Sequence, residues 1–181
     1  MAKAVPIYKL TQIKGSLRDS SLVLMVRLQE MMDYANAIGS PENVEELHNM
    51  RIAAKRLRYT LELFAPTLEP KGASNLLDRV TEVQERIGAI HDCDVLFPLV
   101  QDTLEMETER EKRGAKKRGA AAAGPPPFLA AEALAALMAR KRDERNRLYI
   151  EFITFWNALP PESLAVDLSQ LVTSAQKNDA L

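Results

Sequence analysis

Residues 44–64 read VEELHNMRIAAKRLRYTLELF, and at 100° per residue the stretch resolves into stripes. Leu47, Met50, Ala54, Leu57, Leu61 and Phe64 fall within about 100° of arc, which predicts the core face of a helix. His48, Arg51, Lys55, Arg58 and Glu62 share the next arc of about 80°, and beyond them lies a second apolar strip of Ile52, Tyr59 and Leu63. A charged row on the outer side of a surface helix borders polar residues, whereas this one is flanked by apolar residues on both sides. It is therefore expected to line a groove between helices, with Arg56 and Asn49 pointing elsewhere. Pro41 suits the first turn of this helix, Glu42, Glu45 and Glu46 complement the positive end of its dipole, and Pro66 and Pro70 stop it.

Working outward, apolar residues recur every three or four positions along most of the chain, and its seven glycines leave little room for hairpins. A helix from about Ser16 to Ala37 carries Leu17, Ser21, Leu24, Leu28, Met31 and Ala35 on one stripe, and Gly39-Ser40-Pro41 breaks it. A third helix, from about Lys71 to Ile90, carries Leu76, Val80, Val83 and Ile87, with Gly88 near its end. Asp92 or Asp94 then caps a fourth, which bears Val95, Leu99 and Val100 before turning almost wholly charged from Glu105 to Arg118. Residues 114–127, GAKKRGAAAAGPPP, read as a mobile connection. A fifth helix runs from Phe128 to about Leu159, and a short, partly helical tail follows from Glu162 to Leu181. With no internal repeat, the fold class is all-α: an antiparallel bundle of about five long helices with a basic groove, residues 1–181 forming one domain.

Composition bounds what such a bundle can do. At 181 residues and 20.2 kDa, one ordinary core is the default. With 46% hydrophobic and 27% charged residues, the chain is neither disordered nor fibrous, and no apolar run reaches the roughly 20 residues of a membrane span. The opening MAKAVPIYKLTQIKG lacks the apolar stretch of a secretory signal, so a cytoplasmic location is expected. Cys93 stands alone, which excludes an internal disulfide, and one cysteine with two histidines is too few for a structural zinc cluster. The 24 Lys and Arg against 25 Asp and Glu give a net charge of −1, so any anion site is local.

Local clusters exist. In the fifth helix Leu134, Leu137, Met138, Leu148, Tyr149, Phe152, Phe155 and Trp156 form an apolar face, and Lys141 and Arg145 project from within it. Burying an unpaired charge costs several kcal/mol, so such residues pair with acids, snorkel to water or await an anion. Arg27 lies at the margin of the first helix's stripe, with Lys14 near the mouth of the same concavity. The bland alternative is that every one of these cations is paired internally in a purely structural bundle. From Arg110 to Arg118, interleaved Glu109 and Glu111 favour a solvated helix end.

Several features of the 44–64 stretch occur together: a His-x-x-Arg step at His48 and Arg51, a Lys-Arg-x-Arg-Tyr run from Lys55 to Tyr59, and Leu-x-Leu-Phe from Leu61 to Phe64. With IGAIHDCDV at residues 87–95 and a late helix carrying Arg145, Tyr149, Phe152 and Trp156, the chain resembles the CHAD family, the conserved histidine α-helical domain. The resemblance implies an antiparallel helical bundle whose basic residues bind inorganic polyphosphate without catalysis. By position, His48, Arg51, Lys55 and Arg58 match the family's signature helix; Lys141 and Arg145, with Arg27 and Lys14, are added by the helical wheel. Family members commonly have two four-helix halves and strong positive charge. One signature helix and a slightly acidic balance suggest a half-sized bundle, or a homodimer that completes the groove.

Other function classes draw on the same residues. A metal-dependent phosphohydrolase would use His48, His91, Asp92 and Asp94, since two histidines with nearby carboxylates can hold a divalent ion; His91-Asp92 reads more simply as a helix junction. Nucleic-acid binding lacks a recognition-helix motif or an aromatic stacking platform, and a narrow groove suits a thin phosphate chain better than a duplex. The leading expectation is therefore a polyphosphate-binding cytoplasmic protein, associated with polyphosphate granules, that needs no cofactor, no metal and no membrane.

Overall fold

The computed structural model describes residues 3–4, 6–7, 17–118, 128–159 and 161–178. Five α-helices carry the chain: α1 Leu17–Met32, α2 Val44–Phe64, α3 Pro70–Arg118, α4 Phe128–Ala158 and α5 Pro161–Asn178. Short 3₁₀ turns at Ala37–Gly39 and Ala65–Thr67 flank α2. Among the described residues there is no strand, and no helix is long and apolar enough to cross a membrane. The all-α class is as the periodicity indicates.

Three boundaries differ from expectation, each for a local reason. α1 ends at Met32 rather than near Ala37, because Ile38 turns into the core, 1% exposed, and its carbonyl accepts the Tyr149 hydroxyl hydrogen at 2.9 Å. α2 begins at Val44, not Pro41; the Asn43 amide side chain donates to the Ala37 carbonyl at 2.6 Å and does not cap the helix. The largest correction is α3, where the expected break at Gly88 to Asp94 does not exist: one helix continues from Pro70 to Arg118. A helical glycine costs only about 1 kcal/mol, and burial of Ile87, Ile90 and Cys93 on one face outweighs it. Asp92 and Asp94 are therefore helix-interior residues and cap nothing. Pro98 lies inside the same helix; without an N–H it leaves the Asp94 carbonyl without its usual donor four residues on. Residues 114–118 belong to α3 and not to a connection; 119–127 lie outside the described residues.

The chain divides into two compact units, Met1–Gly88 with Tyr149–Leu181, and Ala89–Leu148. In the first, the core is built from Leu24, Leu28 and Met31 of α1, Leu47, Met50, Leu57 and Leu61 of α2, and Leu76, Val80, Val83 and Ile87 of α3, closed by Phe152 and Trp156 of α4. α1 packs against both α2 and α5. The segment expected as a short tail is a full member of this core: Leu164, Leu168 and Leu171, at helical spacing, are buried. Gly72 lies against Leu171 while Arg79 bonds Asp167 and Ser163, so α5 runs antiparallel to α3. An added Cβ at Gly72 would stand 2.6 Å from Leu171 Cδ2, so a larger residue there would have to displace the end of that side chain.

In the second unit, Ile90, Cys93 and Val100 are the buried apolar side chains among the described residues, joined by Arg145 at 7% exposure. It is held by the distal part of α3 and the proximal part of α4.

Candidate functional site

Of the predicted core face of α2, Leu47, Met50, Ala54, Leu57 and Leu61 are buried and Ala53 joins them, whereas Phe64 at the end of the helix is half-buried. Beside it stand His48, Arg51 and Arg58, half-buried, and Lys55, exposed. The apolar strip on the other side is not a buried wall. Ile52 is half-buried, but Tyr59 is 49% and Leu63 72% exposed, because apolar periodicity cannot distinguish a packed strip from one left at the surface. Tyr59 instead serves as a platform. The Arg58 guanidinium carbon lies 4.8 Å and Lys55 Nζ 5.7 Å from its ring centroid, both within cation–π range.

The cations of this row differ in their partners. Arg58 Nε stands 3.5 Å from a Glu62 carboxylate oxygen, one turn on, and makes no hydrogen bond although that nitrogen is buried. Arg51 has, among the described residues, no ion-pair or hydrogen-bond partner, and its Nε is buried without an acceptor. A Cβ built on Gly88 would meet that Nε at 3.5 Å, so the Arg51 side chain lies across the backbone of α3 where a side chain is missing. Gly88, which the periodicity assigns to a helix end, thus lies inside α3 beside Arg51, at ordinary van der Waals distance from its Nε.

The other cations expected at the site carry acidic partners. Lys141 Nζ donates to Glu144 at 2.6 Å; that hydrogen bond raises the lysine's pKa and lowers the glutamate's. Arg145 Nε donates to Asp94 Oδ1 at 2.5 Å, with both side chains near one-tenth exposed. Removing one partner of such a buried pair costs about 3–5 kcal/mol, because the other charge is left uncompensated. Arg145 is thus a structural cation of the second unit, and Asp94 is committed to it. Arg27 donates to Glu30, three residues along α1, at 2.7 Å. Lys14 lies outside the described residues.

His48 and His91 belong to different compact units, and among the described residues no group of three or more His, Cys, Asp or Glu side chains is placed to hold a metal ion. Cys93, buried beside Asp94, has its thiol pKa raised, chiefly by burial and then by the Glu144 carboxylate.

Residues 14–101 match the family model of the CHAD domain. This stretch of the chain belongs to the CHAD family. The CHAD match takes in α1, α2 with its whole basic row, and α3 as far as Gln101, whereas Lys141 and Arg145 lie beyond it. A search of curated proteins and of solved structures yields no match.

Proposed function

We propose that the chain binds inorganic polyphosphate along the α2 row of Arg51, Lys55 and Arg58, with His48 beside them, and that it does so without catalysing a reaction. The observation that carries this reading is Arg51, half-buried with no carboxylate to neutralise it among the described residues. A partly desolvated guanidinium without a counter-charge is a cost to the unliganded fold that a bound anion removes. Arg51 and Arg58 can each offer a planar fork to two phosphoryl oxygens, while Lys55 acts as a point charge. Membership of residues 14–101 in the CHAD family supports the same ligand class. Lys141, Arg145 and Arg27 are left out of this site because acidic side chains already hold them.

A chain of phosphates carries about one negative charge per unit, so binding releases counterions and affinity falls as salt rises. Titration of polyphosphate onto the wild type and onto Arg51→Ala/Arg58→Ala tests the site: loss of at least tenfold in affinity is expected, and equal affinities would remove it. DNA competing equally at matched phosphate concentration would replace polyphosphate by nucleic acid as the ligand. Phosphate release that a chelator abolishes would turn the binding protein into an enzyme. The matching location is the cytoplasm, on polyphosphate granules.

A further inference from the structure

Three buried side-chain atoms of α2 and α3 have no hydrogen-bond partner among the described residues: Arg51 Nε, Arg58 Nε and Gln84 Oε1. Native folds leave few such groups, since each has given up water without a replacement. All three belong to the first compact unit, and helix geometry brings them to one seam. α2 ends at Phe64 and α3 begins at Pro70, so a short link joins them, while Arg51, well back from the end of α2, meets Gly88, well along α3. The two helices therefore run antiparallel, side by side. Gln84 lies one turn before Gly88 on the same side of α3. In an antiparallel pair that places it beside the turn of α2 that follows Arg51, between Arg51 and Arg58. Side chains lean toward the N-terminus of their own helix, so Arg58 leans back along α2 and Gln84 back along α3, each toward the other.

On the reading that the α2 row takes a polyphosphate, we propose that Gln84 is a further ligand-binding residue and that the phosphate chain lies in the seam between α2 and α3. A half-turn about its last bond exchanges the amide's oxygen for its NH2, so Gln84 donates to a phosphoryl oxygen of the same group on which Arg51 and Arg58 converge. One tetrahedral group with several acceptor lone pairs thus satisfies buried polar groups from both helices. Gln84 carries no charge, so it adds a directional contact and no counterion release. Removing it lowers affinity by the same factor at every salt concentration, whereas removing Arg51 or Arg58 also flattens the dependence on salt.

The test is titration of tripolyphosphate and of long-chain polyphosphate onto the full chain between about 50 and 200 mM salt, with calorimetry to confirm that each variant is folded. Gln84→Met, which keeps the length of the side chain, is expected to bind about fivefold more weakly with an unchanged salt slope. It should melt no lower than the wild type, because it removes a buried amide that has no partner. Gln84→Glu sets a carboxylate beside the two guanidiniums and is expected to bind at least tenfold more weakly. In an amide NMR spectrum, the side-chain signals that Gln84→Met removes should shift when tripolyphosphate is added. Wild-type affinity in Gln84→Met, or side-chain signals that stay in place, while Arg51→Ala/Arg58→Ala loses binding, would show that water alone satisfies the amide; the role of Gln84 would be overturned and the α2 row left standing. A wild type that binds no polyphosphate would overturn the row itself and this residue with it.

Discussion

Arg51 and Arg145 look alike in sequence, both being cations beside an apolar stripe, yet the fold gives them opposite roles. Arg145 is quenched by Asp94, 51 residues away in the chain, a partner that no helical wheel can supply. Arg51 lies against Gly88 with no acceptor for its buried Nε. The difference between them is tertiary, and it yields a prediction of opposite signs for stability and binding. Arg51→Met keeps the packing stem and removes the charge, so calorimetry should show the unliganded protein melting a few degrees higher while its affinity for polyphosphate falls. A lower melting temperature with unchanged affinity would mean that Arg51 is already satisfied in the free protein.

α3 shows how a helix is started as well as how it is continued. Pro70 occupies its first position, and Glu69 before it accepts the backbone N–H groups of Lys71 at 3.0 Å and Gly72 at 2.6 Å. Those two bonds, Gly72's the larger influence, hold the Glu69 carboxyl below its ordinary value of 4.5. The carboxylate form therefore favours the folded state: the contribution is complete above the unfolded value and is lost as pH falls through the lower folded one. Melting temperatures of the wild type and Glu69→Gln should differ at neutral pH and converge on acidification below about pH 4; a constant gap would show that the cap does not titrate. A prolines-as-breakers rule reads residues 66–70 as a stop, and the same Pro70 is also the start of the next helix. Gly88 and the acidic pair Asp92 and Asp94 read as a boundary because both are common there, but tertiary burial on the Ile87, Ile90 and Cys93 face overrides so weak a local signal.

At the scale of the molecule, the two compact units are unequal in core. All five helices contribute buried side chains to the unit containing α2, whereas the described buried side chains of the Ala89–Leu148 unit are Ile90, Cys93, Val100 and the ion-paired Arg145. Local opening is easiest where few apolar groups are withdrawn from water. Native-state hydrogen exchange should therefore be slow across residues 47–61 and at least tenfold faster across residues 101–113 in dilute protein. Equal protection in the two segments under those conditions would contradict this division of stability.

By itself the sequence determined the helical class, the buried face of α2 and the row of His48, Arg51, Lys55 and Arg58 beside it, because spacing at 3.6 residues per turn fixes which side chains share a face. It could not determine that Arg145 is neutralised by Asp94 while Arg51 has no acid beside it among the described residues, that α3 runs unbroken past Gly88, that Leu164, Leu168 and Leu171 belong to the core, or that Tyr59 and Leu63 face outward. Each of these is settled by neighbours far away along the chain, through burial and charge pairing that only the folded arrangement brings within reach.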